Sequence, residues 1–84
     1  MNNKTVEEIR EHAINKWAWA RHDYFILQMK DRWDSDDYAY ADKLRREINH
    51  TANMVNNLGA SIKEFDTGTI EPILDYCRDH KRED

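Results

Sequence analysis

The sequence contains one cysteine, one proline and two glycines, and it has no long apolar run. Because Cys77 is alone, no disulfide can form within the chain, and a lone cysteine suits a reducing compartment. No stretch approaches the roughly 18 apolar residues that can span a bilayer. The first residues also lack the apolar core of a signal peptide. We therefore expect a cytoplasmic protein without a membrane segment.

The scarcity of helix-breaking residues predicts an all-α fold. Neither glycine nor proline occurs before Gly59, and charged residues make up 36% of the chain. The net charge of −4 is too mild to predict a nucleic-acid binder or a mimic of DNA. Eighty-four residues predict a single domain, residues 1–84, and a domain this small often needs self-association for stability.

Capping signals divide the chain into three helices. Thr5 and Glu8 have the spacing of a capping box, and the run of Asp and Ser at 34–37 is the best helix start before Gly59. Pro72 is tolerated only in the first turn of a helix. We predict helices at about 5–33, 36–58 and 70–81, the second continuing to 65 if Gly59 is only a kink. The charged residues after the third helix are expected to fray.

Two apolar seams predict a long antiparallel hairpin. The second helix has apolar residues at alternating spacings of three and four, as in a packed seam: Ala41, Leu44, Ile48, Thr51, Val55, Leu58, Ile62 and Phe65. The first helix offers a matching series: Val6, Ile9, Ala13, Trp17, Ala20, Tyr24 and Leu27. With the short third helix, these seams predict a three-helix bundle.

Trp17 and Trp19 cannot both face the hairpin. Two residues apart on a helix, they point in directions roughly 200° apart. Trp19 begins a second series, here called the Trp19–Trp33 stripe: Trp19, His22, Ile26, Met29 and Trp33. An exposed apolar stripe of this size requires a cover. Three covers remain open: the third helix, a second copy of the chain in a homodimer, or another protein.

No catalytic, cofactor or metal site is expected. Glu47 and His50 have the spacing of a di-iron helix motif, but Ile48 is the seam residue, so both side chains point away from the core. Cys77 and His80 are the only thiol–imidazole pair at helical reach, and no pocket accompanies them. We therefore expect a protein that is not an enzyme.

Two polar features of the second helix are further candidates. Asn49, Asn53 and Asn56 recur on its outer face, where amides can recognise a partner. Lys43, Arg45 and Arg46 form a basic cluster that could contact phosphate. Asp42 and Glu47 lie within that cluster, which favours a solvated, salt-bridged helix face.

These features together predict a small protein-binding module that acts as an inhibitor or adaptor. The expected contacts are the Trp19–Trp33 stripe and the asparagine row, and a homodimer is expected. An inhibitor of a host protein, encoded by a phage or mobile element, fits the size and composition. The alternative is a small nucleic-acid-binding regulator that uses the basic cluster.

Overall fold

The computed structural model describes residues 5–58 and 68–83, and it confirms the all-helical fold. Helix α1 spans Val6–Gln28, α2 spans Ser35–Asn57 and α3 spans Glu71–Asp79. Helices α1 and α2 pack along each other as the hairpin, and the short α3 packs on α1. Within the described residues, no helix combines the length and apolarity needed to cross a membrane. The predicted continuation of the second helix to 65 lies outside the described residues.

The helix starts follow the capping signals. Of the capping box predicted at Thr5, the structure shows the bond from the Glu8 N–H to Thr5 Oγ1, at 3.2 Å. The stronger box begins α2: the Asp37 N–H donates to Asp34 Oδ1 at 2.9 Å, and the Asp34 N–H donates to Asp37 Oδ2 at 3.1 Å. Reciprocal bonds of this kind satisfy two backbone donors that a helix start leaves free.

Helix α1 is shorter than predicted, because it ends at Gln28 and not at Trp33. The Met29 and Lys30 N–H groups donate to the carbonyls of Ile26 and Leu27, a tightened last turn. The capping box of α2 starts at Asp34, so the chain must reverse direction before that residue. Trp33 therefore lies in the turn, where its Nε1–H donates to the Leu27 carbonyl at 3.0 Å.

The core confirms that Trp17 belongs inside. Only 1% of Trp17 is exposed; it packs with Ala18 of α1 and with Ile73 and Cys77 of α3, and Ile48 of α2 packs against the same cluster. Trp17 thus lies where the three helices meet. The seam of α2 is buried as its spacing predicts, at Ala41, Leu44, Thr51 and Val55.

The segment after α3 is docked, so the prediction that it frays is wrong. This C-terminal strap, residues 80–83, lies against α1. Asn15, only 3% exposed, donates from Nδ2 to the Lys81 carbonyl at 2.9 Å and accepts from the Glu83 N–H at 3.0 Å. Arg82 makes two bonds to the Asp23 carboxylate, at 2.8 and 2.9 Å. The anchors lie about 60 residues away in sequence, so local composition could not reveal them.

Candidate interaction surface

The C-terminal strap covers Trp19, the first residue of the Trp19–Trp33 stripe. The Trp19 indole Nε1–H donates to the His80 carbonyl at 3.2 Å. The Arg82 guanidinium lies over the Trp19 ring, 4.6 Å from its centroid, a cation–π arrangement. The His22 ring meets the same indole edge-on at 5.0 Å. The cover at this end is therefore the segment after α3, a detail that the prediction of a helical cover missed.

Trp33, at the other end of the stripe, is occupied by the turn between α1 and α2. Its ring meets Tyr38 edge-on at 5.2 Å, and it packs against the buried cluster that includes Leu27 and Leu44. With its indole N–H bonded to Leu27, Trp33 stabilises the end of the hairpin. It does not continue the stripe along a helix face.

The middle of the stripe remains uncovered. Ile26, in the last turn of α1, is 50% exposed, and Met29, the C-cap of that helix, is 66% exposed. His22 is half-buried, with its Nδ1 3.2 Å from the Asp23 carboxylate. Ile26 and Met29 are therefore the part of the predicted surface that can still meet another molecule.

A groove of about 290 Å³ lies beside Ile26, between α1 and α2. Its walls are mainly apolar, formed by Ile26, Leu27, His22 and the exposed ring of Tyr40. We call this cavity the apolar groove. Tyr40 was missed in the sequence because it sits one residue before the seam position Ala41. Its spacing of four from Leu44 was the available signal that it flanks the hairpin seam.

Ion pairs flank the apolar groove at both ends. Lys30 Nζ lies 2.8 Å from Asp37 Oδ2, and their hydrogen bond raises the pKa of Lys30 and lowers that of Asp37. At the other end, partial burial acts to raise the pKa of Asp23. The hydrogen bonds and charges of Arg82 and His22 outweigh this effect and hold that pKa below its ordinary value. Both carboxylates are therefore ionised at neutral pH.

Tyr40 also lines the apolar groove, and its neutral hydroxyl can donate a hydrogen bond. Burial raises the pKa of the Tyr40 phenol, and the negative charge of Asp23 adds to the effect. The hydroxyl therefore keeps its proton at physiological pH. An exposed ring with a protonated hydroxyl offers both apolar contact and a hydrogen bond to a partner.

The polar candidates of α2 lie elsewhere. Asn49, Asn53 and Asn56 are exposed as predicted, and none of them lines the apolar groove. The basic cluster is divided: Lys43 and Arg45 are about 200° apart around the helix. Arg45 bonds to the Tyr24 hydroxyl at 3.2 Å and to Asp42 at 3.0 Å. The predicted cluster therefore does not form one continuous basic patch.

Neither a cluster of metal ligands nor a reactive thiol is found among the described residues. In residues 5–58 and 68–83, no group of three or more His, Cys, Asp or Glu side chains is placed to hold a metal ion. Burial raises the pKa of the Cys77 thiol to about 11, so the reactive thiolate is scarce at neutral pH. Searches of protein-family models, curated proteins and solved structures find no match to the chain.

Proposed function

We propose that the protein is a non-enzymatic binding module that holds another protein at the apolar groove, as an inhibitor or adaptor. The observation that carries this proposal is a preformed groove lined by the exposed Ile26 and Tyr40, with the exposed Met29 three residues after Ile26. Isolated exposed apolar residues are ordinary, but a cluster at a concave site is typical of an interface. Tyr and Met are among the residues enriched in such contacts.

The groove has the composition of an anchor site. Its volume of about 290 Å³ lies near the lower end of the range for ligand pockets. It therefore suits one or two apolar side chains from a partner. The flanking Lys30–Asp37 and Asp23–Arg82 pairs supply a polar rim, and burial of an apolar anchor within a polar rim is how interface hot spots are organised.

A different protein is a better occupant of the groove than a second copy of this chain. The predicted homodimer relied on Trp19 and Trp33, and both indoles are now engaged within the chain. Among the described residues that line the groove, Ile26 and Tyr40 are the large exposed anchors. The homodimer and the phage or mobile-element source stay predictions.

A capture experiment tests the proposal. The tagged protein is used to capture partners from a lysate of its source cells, with one arm treated with nuclease. The test variant carries Ile26→Ser and Met29→Ser, and the matched control carries Asn49→Ser and Asn53→Ser. We expect a stoichiometric protein that survives nuclease, is lost with the test variant and is kept by the control. Loss with the asparagine variant alone would move the contact to the outer face of α2.

The nucleic-acid alternative makes a separate prediction. Binding to phosphates through Lys43, Arg45 and Arg46 would weaken steeply with salt, because bound cations are released from the backbone. An apolar contact would be far less sensitive. Because Arg45 is bonded to Tyr24 and Asp42, we favour the protein partner. Recovery of nucleic acid, or loss of every partner after nuclease, would favour the alternative.

A further inference from the structure

A second cavity, of about 240 Å³, lies between α1, α2 and the C-terminal strap. Its apolar wall is formed by Trp19, Ala20 and Leu44, with Tyr40 at the edge shared with the apolar groove. Around these residues stand three cationic and three anionic side chains: Lys16, Lys43, Arg82, Asp23, Glu47 and Glu83. We call this cavity the lysine cleft, after Lys16 and Lys43, which line it.

Two of these charges neutralise each other within the chain. Arg82 and Asp23 pair with each other through two bonds, at 2.8 and 2.9 Å. Glu83 Oε2 lies 2.7 Å from His12 Nδ1. The other charged groups at the cleft are the ammonium groups of Lys16 and Lys43 and the carboxylates of Glu47 and Glu83.

The two lysines approach the cleft from different helices. Lys16 belongs to α1 and Lys43 to α2, and both line the cavity. Across residues 5–58 and 68–83, neither ammonium nitrogen lies within 4.0 Å of a carboxylate oxygen. They are therefore available to donate charge-assisted hydrogen bonds to an anion that enters between the helices.

We propose that the lysine cleft binds a small carboxylic acid with an apolar body. The carboxylate lies between Lys16 and Lys43, and the apolar body packs on Trp19 and Leu44. Glu47 and Glu83 at the rim repel a polyanion, so a nucleic-acid backbone is a poor ligand. The volume is below the usual range for drug-sized ligands, so the acid must be small. This site stands apart from the protein contact proposed for the apolar groove.

A titration followed by nuclear magnetic resonance tests the site. The ¹⁵N-labelled full chain is titrated with 3-phenylpropionate and, separately, with the neutral 3-phenylpropanamide of nearly the same shape. We expect saturable shifts at the Trp19 indole N–H and the Ala20 and Leu44 amides with the acid. Because hydrogen bonds to a charged group are stronger than those between neutral groups, the amide should bind at least about tenfold more weakly than the acid.

Two variants assign the effect to the lysines. The test variant carries Lys16→Gln and Lys43→Gln, which shorten little and remove two charges. The control carries Arg46→Gln and Arg78→Gln, which remove the same charge from exposed positions outside the cleft. We expect the test variant to lose about tenfold in affinity for the acid and the control to retain it.

Three results would overturn the proposal. Equal binding of the acid and the amide would mean that only the apolar wall is used. Undiminished binding of the acid to the folded test variant would place the anion elsewhere. An absence of saturable shifts in the wild-type chain would mean that the cleft binds no such acid. Each of these results leaves the protein contact at the apolar groove unaffected, because that contact is measured by capture.

Discussion

The two ends of the Trp19–Trp33 stripe are covered by the chain itself, whereas its middle is exposed. At the ends, each indole N–H donates to a backbone carbonyl of the same chain: Trp19 to His80 and Trp33 to Leu27. In the middle, Ile26 is 50% exposed and Met29 is 66% exposed. The residues that look most like interface anchors are thus structural, and the less conspicuous apolar pair is left exposed.

Hydrogen-bonding capacity explains why the ends were covered. A buried indole needs an acceptor, and carbonyls near helix ends lack their normal donor. His80, the C-cap of α3, supplies such a carbonyl, and Leu27 in the last turn of α1 supplies one that also accepts from the Lys30 N–H. Ile26 and Met29 have no polar group that such a carbonyl could satisfy. Four sets of substitutions test whether the ends of the stripe are structural and its middle is not.

Substitutions at the two ends of the stripe should have the largest effect on stability. Trp19→Ala and Trp33→Ala should each lower the free energy of unfolding by about 3 kcal/mol, because each removes a large packed ring together with its indole hydrogen bond. Urea denaturation measures the loss, and light scattering measures the mass in parallel. A stable variant that changes from dimer to monomer would return both residues to the role of self-association anchors.

Release of the C-terminal strap should have the next largest effect. Asn15→Ala leaves the Lys81 carbonyl and the Glu83 N–H without their partner, at a cost of about 2 kcal/mol. Hydrogen exchange should then become faster at the Glu83 amide, and Trp19 should become more exposed. Asn53→Ala, at an exposed position, is the control. Equal exchange at Glu83 in the two variants would mean that Asn15 does not hold the strap.

The ion pair over Trp19 should contribute less. Asp23→Asn removes a carboxylate whose partner Arg82 is half exposed, so about 1 kcal/mol is expected at pH 7. The pKa of Asp23 is lower in the folded chain than its ordinary 3.8, so this stabilisation is present above about pH 4. It is lost as the pH falls through the folded pKa. Denaturation from pH 7 to 2 should show a smaller decline for Asp23→Asn than for wild type.

Substitutions in the middle of the stripe should have almost no effect on stability. Ile26→Ser and Met29→Ser together should change the free energy of unfolding by about 0.5 kcal/mol or less, since surface substitutions usually do. The same chemical denaturation measures this. A loss comparable to that of the tryptophan variants would show that the middle of the stripe is packed in solution, and the contrast with the ends would disappear.

Local signals in the sequence predict the framework well. The seams place Trp17, Ala41, Leu44 and Val55 in the core, and capping residues place the start of α2 within one residue. These features depend on neighbours within a few residues. Periodicity also carried the first helix on to Trp33, because a residue in a turn can continue a helical spacing by chance. The capping box at Asp34 starts α2, so the first helix has to end before Trp33.

The site was harder to predict because it depends on distant contacts. Tyr40 of α2 lines the same groove as Ile26 of α1, and Arg82 bonds to Asp23 from the other end of the chain. The sequence shows neither pair as neighbours. The terminal run of charges looked like solvated residues, since nothing nearby offered a partner. Ile26 and Met29 could be singled out by spacing, but their exposure followed only once the covers at either end were known.

Asn15 also limits which sequences the strap can have. Its hydrogen bonds to residues 81 and 83 are to main-chain atoms, and the contact of the Glu83 carboxylate with His12 is exposed, so a saturation mutagenesis screen should find most side chains acceptable at Lys81 and Glu83. Proline at 83 is the exception, because it has no N–H to donate. Arg82, between them, is held through its own guanidinium and should tolerate little. The strap is thus expected to diverge at alternate positions while its path over α1 stays the same.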